Sequence, residues 1–179
     1  MRQALTALVF LGFLAAGCAT QTSPMETSAI AILEPRSGSS ASGTVRFVES
    51  PAGVTVIVNI SGTTPGPHGF HVHEKGDCSA PDATTAGPHF DVGGHPHGSP
   101  SAPAQHSGDF GNLTADASGQ IRTQFVTRQV TVSPSPNSVV GRAVILHASA
   151  DDLTSQPAGN SGARIACGLA NIEVRSTQQ

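Results

Sequence analysis

The chain has 179 residues, enough for one domain of ordinary size, and a formal net charge of −3. Lys75 is its only lysine and no Lys/Arg cluster occurs, which excludes a nucleic-acid-binding surface. Twenty Gly and thirteen Pro, with no Trp or Tyr, indicate a loop-rich all-β protein rather than a helical one.

Residues 1–17 read as an export signal, with Arg2 followed by an apolar run from Ala4 to Ala16. The run is short for a membrane span, which takes ~20 residues. Leu14-Ala15-Ala16-Gly17-Cys18 resembles the bacterial lipobox, whose cysteine is lipidated and becomes the new N-terminus. The expectation is an exported, membrane-anchored lipoprotein facing the periplasm or the exterior of a bacterial cell. Residues 18–27 then form the lipidated cysteine and a polar tether, and residues 28–179 the domain. Of the three cysteines this leaves Cys78 and Cys167, one possible pair in an oxidising compartment.

Eight short segments carry strand character. Residues 29–33 are apolar. In TVRFVE (44–49), Val45 and Phe47 share one face. Residues 54–60 alternate, with Val54, Val56, Val58 and Ile60 on one side and Thr55, Ile57 and Asn59 on the other. Residues 69–74 follow, then 110–115, 120–127, 142–148 and 169–175. Such a set, punctuated by Gly, Pro, Ser and Asn, predicts an eight-stranded β-barrel or sandwich. No helix-period segment follows the signal. Two long connections, 75–108 and 149–166, are expected to be functional rather than idle.

Histidine is the unusual residue. Seven of the eight lie between His68 and His106. In GFHVH, His71 and His73 are two apart on a strand, so both imidazoles project to one side. The connection beyond holds His89, His95 and His97 in GPHFDVGGHPHGSP, then His106 and Asp109 in AQHSGDFGN. Imidazoles with one carboxylate suit a closed zinc site. His147 ends the apolar strand RAVILH, and Arg164 lies three residues before Cys167. His68 is expected in the turn before the GFHVH strand, in a structural role, and His95 on the surface.

GFHVH, GPHF, the H-x8-H-x2-D spacing of His97, His106 and Asp109, LHASADD and SGARIACG occur together and in order. In these motifs the chain resembles the copper–zinc superoxide dismutases over roughly residues 28–175. The resemblance implies a Greek-key β-barrel with one copper and one zinc per chain. It implies copper ligation by His71, His73, His89 and His147, and zinc ligation by His89, His97, His106 and Asp109, with His89 bridging. Arg164 would guide the superoxide anion, Asp151 would link a copper histidine to a zinc histidine, and Cys78 and Cys167 would form the disulfide. The implied activity converts two superoxide anions and two protons to O2 and H2O2, with His89 taking part in proton delivery. The competing reading is a non-catalytic periplasmic copper/zinc-binding protein of the same kind; the presence of all seven ligands and Arg164 speaks against it. Whether the protein is a monomer or a homodimer stays open. One departure stands out. LTSQPAGNSGA, residues 153–163, carries no charge, whereas animal-type members have a longer loop here with acidic residues and a lysine.

Overall fold

The computed structural model describes residues 26–173. The signal segment, Cys18, most of the tether and residues 174–179 lie outside them. Eight strands follow in order: β1 Ser28–Pro35, β2 Ser42–Ser50, β3 Gly53–Ser61, β4 Gly66–His73, β5 Asp109–Ala115, β6 Ile121–Thr127, β7 Ala143–His147 and β8 Arg164–Ile172. Among the described residues there is no α-helix, and a single 3-10 turn spans Thr84–Ala86.

All pairings between strands are antiparallel, in the spatial order β5-β4-β7-β8-β1-β2-β3-β6. β5 and β6 are consecutive in sequence yet lie at opposite ends of that order, so the sheet curls into a nearly closed Greek-key barrel. Alternation decides which faces turn inward. Val45, Phe47, Val54, Val56, Val58 and Ile60 are buried, and Val45↔Val58 and Phe47↔Val56 are direct partners across β2 and β3. β-Branched and aromatic side chains at such positions fill the barrel interior at period two.

β4 departs from simple alternation because both of its faces are covered. Phe70 and Val72 point into the core, while His71 and His73 on the opposite face are also buried. The covering comes from the long connections after β4 and β7. β4 also begins three residues earlier than the sequence suggests, so His68 lies inside the strand rather than in a turn. Its ring is buried between two main-chain oxygens, with Nδ1 2.8 Å from His147 O and Nε2 2.8 Å from Thr64 O. β8 begins at Arg164, not at 169. Its first half pairs with β7 on one side and β1 on the other, Cys167 facing both Ile145 and Glu34. Small residues there give no period-two signal; a Cβ on Gly168 would stand 2.6 Å from the Ile32 carbonyl carbon.

Cys78 and Cys167 form a disulfide with Cα atoms 5.8 Å apart across a sequence separation of 89. It ties the connection after β4 to β8, three residues from Arg164. Closing so long a loop removes about 4–5 kcal/mol of unfolded-chain entropy in the simplest treatment.

Candidate metal centre

Two groups of side chains converge on the outer face of β4. His71, His73, His89 and His147 form one; His89, His97, His106 and Asp109 form the other. In each group the candidate donor atoms all lie within 4.8 Å of one another. The first group is assembled by neighbouring strands, since β4 supplies His71 and His73 and the end of β7 supplies His147. His89 reaches them because its segment folds back on β4: His89 bridges His73, and Phe90 N donates to Val72 O at 2.8 Å. Phe90 is buried under the Arg142 guanidinium, 3.4 Å from the ring centroid, which pins the segment further.

Four of the rings have their tautomer set by a partner that only accepts. His73 Nδ1 donates to Gly87 O at 2.9 Å and His147 Nδ1 to Gly162 O at 3.2 Å. His71 Nε2 donates to Asp151 Oδ2 at 2.8 Å, and His97 Nε2 to Asp151 Oδ1 at 2.9 Å. In a neutral imidazole the other nitrogen is then a bare lone pair. Those nitrogens are His73 Nε2, His147 Nε2, His71 Nδ1 and His97 Nδ1, all buried and without a hydrogen-bond partner. His89 Nε2 shares that state. Four of these buried, unpartnered lone pairs converge within the first group and His97 Nδ1 turns into the second beside Asp109, an arrangement that is costly unless a cation occupies each group. This is the observation by which copper and zinc fit the residues present.

His89 belongs to both groups through different atoms. Its Nε2 faces the His71, His73 and His147 nitrogens, while its Nδ1 lies 2.7 Å from Asp109 Oδ1. Around the same carboxylate stand His97 Nδ1, 3.0 Å from Oδ2, and His106 Nδ1, 3.2 Å from Oδ2. Asp109 is oriented by two main-chain donors, Gly98 N at 3.0 Å and His106 N at 3.2 Å. Burial pushes the His71 and His73 rings well below the usual imidazole range and lowers His89, against the opposing pull of Asp109. It pushes His147 down to about 4. All four are therefore neutral near pH 7, the form that ligates metal.

An open cleft of about 220 Å³ reaches His73, His89 and His147, with Arg164 and residues 156–162 as its wall. Arg164 is held by two carbonyls, Nη1 donating to Ala83 O and Nη2 to Gly87 O, each at 2.7 Å. The Gly87 carbonyl thus serves both Arg164 and His73. A larger groove of about 390 Å³ runs beside Phe110 and Phe125 and contains none of the candidate ligands.

Every sequence-predicted site residue within 26–173 lies in this region, Asp151 between the two groups and the disulfide at its border. His95 stands apart, exposed and bonded to Asp91 at 3.0 Å. Sequence reasoning did not find Asn112, whose amide grips Asp151 from both sides: Nδ2 donates to Asp151 O at 2.8 Å, and Asp151 N donates to Oδ1 at 2.7 Å. Nor did it find the carbonyls of Ala83, Gly87 and Gly162, because backbone groups leave no trace in a list of side chains. A family model described as copper/zinc superoxide dismutase (SODC) matches residues 41–170, a span that includes both groups, Asp151, Arg164 and both disulfide cysteines.

Proposed function

The chain belongs to the copper/zinc superoxide dismutase family, and from that premise we propose how its residues divide the work. His71, His73, His89 and His147 hold copper; His89, His97, His106 and Asp109 hold zinc. Bound copper supplies the one-electron couple by which one superoxide leaves as O2 and a second, with two protons, as H2O2. Four imidazoles suit Cu(II), whose affinity for nitrogen donors exceeds that of the other divalent first-row ions. Three imidazoles and one carboxylate would leave a bound zinc no open position, so it would be structural.

The remaining work belongs to the chain. Arg164 presents its guanidinium to the cleft and attracts and orients the anion. His89 lines the cleft and its buried Nε2 has no hydrogen-bond partner, so it is the nitrogen placed to hold a proton and pass it on. Solvent in the cleft brings the second proton. Asp151 accepts from His71 on the copper side and from His97 on the zinc side, keeping both rings in the ligating tautomer. The observation that carries this reading is the double allegiance of His89, one nitrogen in each group. Metal analysis and a dismutation assay of wild type and His147→Ala test it. The wild type is expected to hold about one copper and one zinc per chain. The variant is expected to keep zinc and lose activity; a fully active variant overturns the copper assignment.

Residues 1–17 and Cys18 support export and lipid anchoring at a bacterial membrane, and a disulfide fits an oxidising compartment. Replacing Cys18 by Ser in the full-length chain is expected to move activity from the membrane fraction to the soluble exported fraction. Retention on the membrane refutes the lipid anchor.

A further inference from the structure

Gln156 lines the cleft that holds His73, His89, His147 and Arg164, and its side chain turns away from it toward the zinc group. His97 N donates to Gln156 Oε1 at 2.8 Å, and Gln156 Nε2 donates back to His97 O at 2.9 Å. The amide thus takes the place of a neighbouring strand. His97 needs such a partner. Its stretch, GGHPHGSP, has no regular structure, and among the described residues the main chain of His97 itself makes no backbone–backbone hydrogen bond. The ring of His97 is held at Nε2 by Asp151, five residues before Gln156. Residues 151–156 therefore grip His97 by ring and by backbone, leaving Nδ1 to face Asp109 at 3.0 Å.

The same residues lead directly into 157–162, the wall over His89 and His147. We infer that Gln156 is a positioning residue that sets His97 in the zinc group and fastens the cleft wall to it, so that zinc retention and anion access to the cleft change together. The inference rests on the zinc assignment proposed above. It assigns a job to a neutral side chain in a loop otherwise notable for what it lacks.

The experiment compares the metal-loaded wild type with Gln156→Met and Gln156→Glu. Met keeps the bulk and removes both bonds; Glu keeps the acceptor for His97 N and loses the donor. Three quantities are measured: zinc transfer to a chromogenic chelator, the visible spectrum of Co(II) placed in the zinc position, and the affinity of the copper-loaded protein for azide as an anion probe. Gln156→Met is expected to release zinc about tenfold faster, the scale for losing one or two hydrogen bonds. Its cobalt bands and azide affinity are expected to shift, with Gln156→Glu between it and the wild type. Wild-type zinc release with an unchanged cobalt spectrum in Gln156→Met overturns the inference. So does altered zinc release with unaltered azide affinity, which separates retention from access. If Gln156→Met fails to fold, as its melting in the metal-free state would show, Gln156→Glu decides, and wild-type behaviour there is equally fatal. A wild type that binds no zinc, or a His97→Ala variant that keeps it, defeats the zinc assignment itself.

Discussion

At the scale of single residues, the space around Asp151 is filled to its limit. Gly159 has φ +65°, and a Cβ there would collide with Asp151 Oδ1 and stand 2.6 Å from His97 Nε2. Gly159→Ala is therefore strained in its backbone and drives a wedge into the Asp151–His97 bond. The expected result is a folded, disulfide-bonded chain that loses zinc on dialysis, read as less than one zinc per chain by atomic absorption; full zinc content would show that the wedge is absorbed elsewhere. Asp151→Asn keeps the shape but leaves one oxygen where two histidines need an acceptor. Its zinc affinity is expected to fall by about 10–100-fold, the usual cost of losing such a support, in a competition titration. Asp151 was legible in the sequence because LHASADD is a motif. Gly159, Asn112 and Gln156 were not, since what they do depends on the approach of segments about 40 to 60 residues away, which no local pattern encodes.

Among the elements, the connection between β7 and β8 supplies the wall of the cleft. Residues 153–163 have no charge, and among the described residues Arg164 is the only permanently charged side chain lining the cleft. With one fixed cation and little surrounding field, capture depends on short-range attraction, which salt screens weakly. The second-order rate constant, followed by pulse radiolysis, is expected to drop by less than about threefold between 10 and 150 mM ionic strength, whereas a strongly steered enzyme drops steeply. A steep fall would mean that charges outside the cleft steer the anion. The elements themselves were unequally legible. β2 and β3 announced themselves because one face of each is solvated. The starts of β4 and β8 did not, because Gly66 and Pro67 read as turn residues, and Ala166, Cys167 and Gly168 are small and consecutively buried, so neither stretch alternates.

For the molecule as a whole, acid stability follows from the neutral histidines. Burial holds His71, His73 and His89 below their ordinary values and His147 near 4. Below about pH 6.5 the unfolded chain takes up protons that these rings in the folded, metal-free protein refuse, so folding stability declines as pH falls from there through about 4. His147 alone accounts for about 3 kcal/mol over that interval. Carboxylates act lower: Asp91, held near 2 with His95 and main-chain donors at its oxygens, loses its contribution only below the ordinary aspartate range. Calorimetry of the metal-free protein is expected to give a melting temperature that is flat above pH 7 and falls between pH 6.5 and 4. A melting temperature that rises on acidification would contradict the burial of these rings as neutral groups. Metal loading raises the whole curve, and does so least in acid, where protons compete for the same lone pairs.

The carbonyl of Gly87 receives both Arg164 Nη2 and His73 Nδ1. The proposed anion guide and one of the proposed metal ligands are thereby gauged from a common datum. β4 carries His73 and β8 carries Arg164, and the turn Thr84–Ala86 sets the one carbonyl that both side chains meet. Two elements far apart in sequence are thus registered on one main-chain oxygen within a long irregular connection, which fixes their spacing without any direct bond between them.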